Sequence, residues 1–88
     1  MTPNLIFATT TPVSDAYQYQ KNDEIIRFNK AVVPLLQRRG VAINDLFATL
    51  YPIRDQVICE DRLHLNEKGI EICSKQVLSS IRRFEFKK

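Results

Sequence analysis

Asn4-Leu5-Ile6-Phe7-Ala8-Thr9-Thr10-Thr11-Pro12 is an apolar, β-branched and aromatic run closed by a proline, and a shorter run of the same kind follows at Val41-Ala42-Ile43-Asn44. Residues 4–10 read as a strand, and their near-continuous apolar character predicts burial on both faces. The second run reads as a short buried strand. Between them, from Asp23 onward, the period changes to that of a helix. Ile25, Ile26, Phe28, Asn29, Val32, Val33, Leu35 and Leu36 form a wide apolar stripe, Asn22 is placed to cap it, and Asp23-Glu24 complement the dipole. Pro34 predicts a kink or the start of the last turn, and Arg38-Arg39-Gly40 supplies a cationic end followed by a glycine stop. Strand, helix and strand in this order are the grammar of a parallel α/β fold.

Working outward, residues 12–22 are polar, carry Tyr17 and Tyr19, and have no helical period; they are expected as a surface loop of the kind that lines sites. Residues 45–51 predict a short helix capped by Asn44 or Asp45 and stopped before Pro52. Residues 52–65 show no clean period and are expected as a second long loop. A last helix is predicted from Asn66 to about Arg83, with Ile70, Cys73, Val77, Leu78, Ile81 and Phe84 at helical spacing. Two strands cannot build a doubly wound sheet: each leaves an unpaired edge, and the two long helices find little sheet to cover. Residues 1–88 are therefore expected to be part of a larger domain.

The chain has 88 residues, 44% hydrophobic and 26% charged, with only two glycines, which is a globular composition and not a disordered or collagenous one. It is shorter than the commonest domain size of about 100–150 residues, so a core built alone is thin. A net charge of +3 spread in scattered pairs argues against a nucleic-acid partner. Arg38-Arg39, Arg82-Arg83 and Lys87-Lys88 are better explained as helix-end and terminal charges. Two cysteines, Cys59 and Cys73, do not make a disulfide framework, though the spacing leaves a single bridge open. No apolar run approaches the ~20 residues that span a bilayer, and no signal peptide opens the chain, so a soluble protein of unassigned location is expected.

The chemistry-bearing motif is Asp61-x-x-His64, in a loop directly before a helix. A carboxylate at that spacing can accept the imidazole Nδ1–H, fix the tautomer, and leave Nε2 as a general base. The plainer alternative is a loop histidine with a local hydrogen bond. A metal site from Cys59, Asp61, His64 and Cys73 fits no standard zinc spacing, so neither metal nor cofactor is expected. Ser14 lacks the sharp strand-to-helix turn of an exposed nucleophile, and Ser74, Ser79 and Ser80 fall on the last helix. Tyr17 and Tyr19 either line an acyl or sugar pocket or merely cover the loop.

Taken together, Phe7 to Val13, Ile26 to Asn29, Gly40 to Phe47, and Asp61, His64, Asn66 and Gly69 resemble, in order and spacing, the C-terminal part of SGNH/GDSL hydrolases. The resemblance covers nearly the whole chain. It implies part of a flavodoxin-like α/β/α sandwich that hydrolyses short acyl esters, carbohydrate acetyl esters among them, without a cofactor. It also implies that Asp61 and His64 are the last two members of a Ser-His-Asp triad, and that Thr10, Thr11 and Pro12 lie at the sheet's carboxyl end, where ligands bind in open α/β folds. The chain departs from the family in having no Gly-Asp-Ser nucleophile motif and no Gly-x-Asn-Asp oxyanion motif. Alone it is expected to be inactive or nearly so. The partners expected are a complementing segment that brings the serine, or a second copy, the latter making the chain a self-associating, non-enzymatic module.

Overall fold

The computed structural model describes residues 5–85, with the side chains of Phe84 and Glu85 left outside the description. Two strands, β1 (Ile6–Ala8) and β2 (Ala42–Asn44), pair in parallel with Ile6 opposite Ala42 and Ala8 opposite Asn44. The helix α1 (Asn22–Arg38) connects them. It starts where Glu24 accepts the Lys21 backbone N–H, runs through Pro34, and ends before Gly40, whose φ of 80° needs the freedom of glycine. The chain is thus a small mixed α/β domain with a two-stranded parallel sheet.

After β2, Asp45 caps α2 (Leu46–Leu50) by accepting the Ala48 N–H, the second of the two caps the sequence offered. The helical path does not stop at Pro52. Proline lacks only the N–H that a first turn does not use, so a 3-10 turn (Tyr51–Ile53) and then α3 (Arg54–Val57) occupy the start of what reads as loop. Residues 58–65 fold back on themselves through an Ile58–Leu65 bridge, and α4 (Glu67–Glu85) follows, with Asn66 capping it through Gly69 N–H. Gly69 has a second duty: a Cβ there would stand 2.8 Å from the Val57 carbonyl oxygen, so only glycine lets α4 approach α3 this closely.

The core lies between α1, α2 and the loop after β1. Val13, Ile25 and Phe47 pack together with Tyr17 and Tyr51 against them, and Leu50 and Val57 are wholly buried. Burial of β1 on both faces is not seen: Ile6 and Ala8 are exposed and Leu5 keeps 68% of its surface, because β1 has a strand on one side only among the described residues. On α1 the buried positions are Asn22, Ile25 and Asn29, while Ile26, Phe28 and Leu35 stay in solvent. A sheet two strands wide covers only a narrow strip of the apolar stripe.

The last helix is turned the other way round. It docks through Gly69, Gln76 and Ser80, with Gln76 donating to Asn44 Oδ1 at 2.8 Å and accepting the Thr49 hydroxyl at 2.6 Å. Its apolar positions Ile70, Val77, Leu78 and Ile81 point outward and, with Leu65 and Cys73, line an open groove of about 390 Å³. The radius of gyration, 14.0 Å, exceeds the about 12 Å of a compact chain of this length, as extents of 42 × 26 × 16 Å require. No helix among the described residues is long and apolar enough to cross a membrane.

Candidate active site

The loop from Cys59 to His64 is closed by its own backbone: Arg62 N–H reaches the Cys59 carbonyl at 2.9 Å, and Cys59 N–H reaches that of His64 at 2.7 Å. Closing so tight a turn puts Arg62 at φ 67°, in the left-handed region that side chains other than glycine seldom adopt. Inside the turn, Asp61 Oδ1 accepts the backbone N–H groups of Leu63 (2.9 Å) and His64 (3.0 Å). The other oxygen, Oδ2, lies 2.5 Å from His64 Nδ1. The carboxylate is therefore oriented by its own backbone before it meets the imidazole.

That arrangement settles the electrostatics of the pair. The His64 hydrogen bond, followed by the two backbone N–H groups, holds the Asp61 carboxyl down to about 2. With Nδ1 engaged, Nε2 is the ring nitrogen left for chemistry, and the His64 side chain is 73% exposed. Asp61 and His64 are thus brought together at the predicted spacing, on an exposed turn whose Asp61 borders a shallow depression.

A second loop buttresses the first. Ser14 N–H donates to the Arg62 carbonyl at 3.0 Å, tying the segment after β1 to the Asp61–His64 turn. Ser14 Oγ accepts the Ala16 N–H and its carbonyl accepts that of Tyr17, so the serine builds a turn. Asn22 clamps Val13 by accepting its N–H at 2.9 Å and donating to its carbonyl at 2.7 Å, and Asn29 makes the same paired contact with Thr10 at 3.2 and 3.3 Å. Arg54 forks onto Asp15 at 2.9–3.2 Å and lies over the Tyr51 ring, which stacks on Phe47. Asp15 is pulled below the ordinary carboxylate range by Arg54 first and by Asn22 second.

The carboxyl end of β1 serves the fold more than a ligand. Thr9 is buried, its hydroxyl donating to Asp45 and accepting the Phe47 N–H, each at 2.9 Å. Of Thr10, Thr11 and Pro12, expected at a substrate site, Thr10 alone has an exposed side chain; Thr11 is half-buried, and Pro12 is fully buried and offers no surface. Both cysteines are free thiols. Cys59 donates to the Leu65 carbonyl, and burial pushes the Cys73 thiol up. Among the described residues no group of three or more His, Cys, Asp or Glu side chains gathers as a metal site.

Sequence reasoning missed the clamps at Asn22 and Asn29 and the Arg54–Asp15 fork. The asparagines carried a signal: they are seven residues apart, two helical turns, on the face that faces the core. Arg54 carried none, since its partner is 39 residues away. Comparison with protein-family models, with curated proteins and with solved structures gives no match.

Proposed function

We propose that the chain is the histidine-bearing part of an SGNH-type ester hydrolase with a flavodoxin-like sheet, in which a complementing segment brings the serine and the oxyanion donors. The observation that carries this reading is the Asp61–His64 pair, a carboxylate pre-set by two backbone N–H groups and bonded to Nδ1 of an imidazole whose Nε2 faces outward. In the reaction, Nε2 takes the serine proton as Oγ attacks the ester carbonyl, then returns it to the leaving alcohol; water deacylates the serine by the same relay. The unpaired edge of β1 and the outward apolar face of α4 are where the complementing segment would add a strand and a helix.

The test is to join the chain to a segment carrying Gly-Asp-Ser and to measure hydrolysis of a short aryl acetate. Activity is expected, and His64→Ala should lower kcat by orders of magnitude with little change in KM. Full activity in His64→Ala would sink the reading. The second reading, self-association without catalysis, is favoured by the same outward face of α4. It expects a dimer or larger oligomer of the chain alone by sedimentation, dispersed by Leu78→Glu.

A further inference from the structure

The peptide unit between Arg62 and Leu63 is held from both of its sides. Its carbonyl, from Arg62, accepts the Ser14 N–H at 3.0 Å, and its N–H, from Leu63, donates to Asp61 Oδ1 at 2.9 Å. A trans peptide is planar, with its C=O and N–H pointing in opposite directions, so fixing the one aims the other. Arg62 sits at φ 67°, so its own backbone preference does not hold the plane there. The Ser14 N–H reaches that plane from outside the turn. The direction in which the Leu63 N–H meets Asp61, and through Asp61 the imidazole, is thus set from the segment after β1.

Ser14 is itself gripped on both sides. Before it, both backbone polar groups of Val13 are taken by Asn22. After it, Asp15 is held by Asn22 Nδ2 at 3.0 Å and by the Arg54 fork at 2.9–3.2 Å. The guanidinium has a footing of its own. Its third nitrogen donates to the Tyr51 carbonyl at 2.8 Å, and it lies 4.1 Å above the Tyr51 ring, which stacks on the buried Phe47. An ion pair whose carboxylate is 60% exposed adds little stability, so the two-pronged contact serves direction more than strength.

We infer that Arg54 is a positioning residue for the Asp61–His64 pair: through Asp15 and the Ser14 N–H it fixes the Arg62–Leu63 peptide that orients the Asp61 carboxylate. The consequence for catalysis rests on the hydrolase reading of that pair; the positioning itself does not.

The experiment uses the 88-residue chain and two spectroscopic readings. One is the titration of the Asp61 carboxyl carbon, the other the side-chain nitrogen shifts of His64, which report the ring nitrogen that carries the hydrogen. In the native chain the neutral ring is expected to keep its hydrogen on Nδ1, facing Asp61 Oδ2, and Asp61 to titrate near 2. Arg54→Lys keeps the charge but cannot fork, and Asp15→Asn keeps the Asn22 contact but removes the ion pair. Each should raise the Asp61 midpoint by about 0.5, or about threefold in proton affinity, and move part of the neutral His64 population to the Nε2–H form. For Asp15→Asn this is opposite to the downward shift that removing a nearby negative charge gives by field alone. The amides of Phe47 and Leu50 should stay in place, and Ser14→Ala, which retains the backbone N–H, should change neither reading.

A fork that is merely structural would lower the unfolding midpoint and leave both readings unmoved, and that result overturns the inference. Should Arg54→Lys fail to fold, Asp15→Asn decides alone. Unmoved readings beside an active joined protein keep the hydrolase and lose the positioning; moved readings beside an inactive joined protein do the reverse.

Discussion

The loop end of the molecule and the outer face of α4 are built on opposite principles. At the loop end, side chains of modest apolarity are held by many specific contacts: Asn22 and Asn29 clamp backbone, Arg54 forks onto Asp15, and Asp61 reads two N–H groups and an imidazole. On α4 Ile70, Val77, Leu78 and Ile81 are exposed, while the buried positions are Gly69 and Ser80, with Ile72, Cys73 and Gln76 half-buried. Hydrophobic burial is proportional to area removed from water, so the first region is covered by its own chain and the second is apolar surface left exposed by the described residues.

The sharpest way to break this contrast is to truncate a leucine on each side. Leu50→Ala, in the core, should cost about 2–5 kcal/mol, a large part of the stability of a domain this small, whereas Leu78→Ala should cost well under about 1 kcal/mol by urea unfolding. Equal costs would mean that the outer face of α4 is covered in solution. Next in size, Gly69→Ala should destabilise by about 1–3 kcal/mol, since the new methyl meets the Val57 carbonyl and must push α4 off α3. A neutral result would show that α4 is loosely seated.

Asn22→Ala should cost about 1–3 kcal/mol, because it leaves the Val13 N–H and carbonyl buried without partners. Thermal unfolding measures it, and Ser14→Ala, which removes only an exposed turn contact, is the matched control.

The pH dependence sharpens the loop end alone. The folded Asp61 carboxyl sits near 2 against an ordinary 3.8. The stabilisation from its ionised form is therefore complete above that ordinary value and is lost as pH falls through about 2. A carboxyl carbon resonance titrating near 2 in the native chain is expected, and a higher value, still below the ordinary one because the two backbone N–H groups remain, is expected in His64→Ala. The smallest effect is Ile81→Glu, which should leave the unfolding free energy within about 0.5 kcal/mol while raising solubility, read by light scattering.

Much of this was legible in the residues. The order of β1, α1, β2 and α4, a cap at Asn44 or Asp45, the glycine stop at Gly40 and the pairing of Asp61 with His64 all rest on local rules: period, capping, φ preference and a three-residue spacing. The helical turns through Pro52 were not legible, because a proline that ends one helix is equally suited to begin the next. Nor was the Arg54–Asp15 fork, since nothing local links residues 39 positions apart.

By itself, then, the amino-acid order determined that β1 and β2 are extended and that α1, α2 and α4 are helical, and that one carboxylate and one imidazole share a turn. Those properties depend on neighbours within a few residues. Only the tertiary structure decided which face of each element is buried. The apolar stripes of α1 and α4 read as core, yet Ile26, Phe28, Ile70 and Leu78 are in water, while Asn22, Asn29 and Ser80 are inside. Periodicity reports that a helix has an apolar face; what that face meets depends on how much sheet lies beneath it, and here two strands leave most of it open.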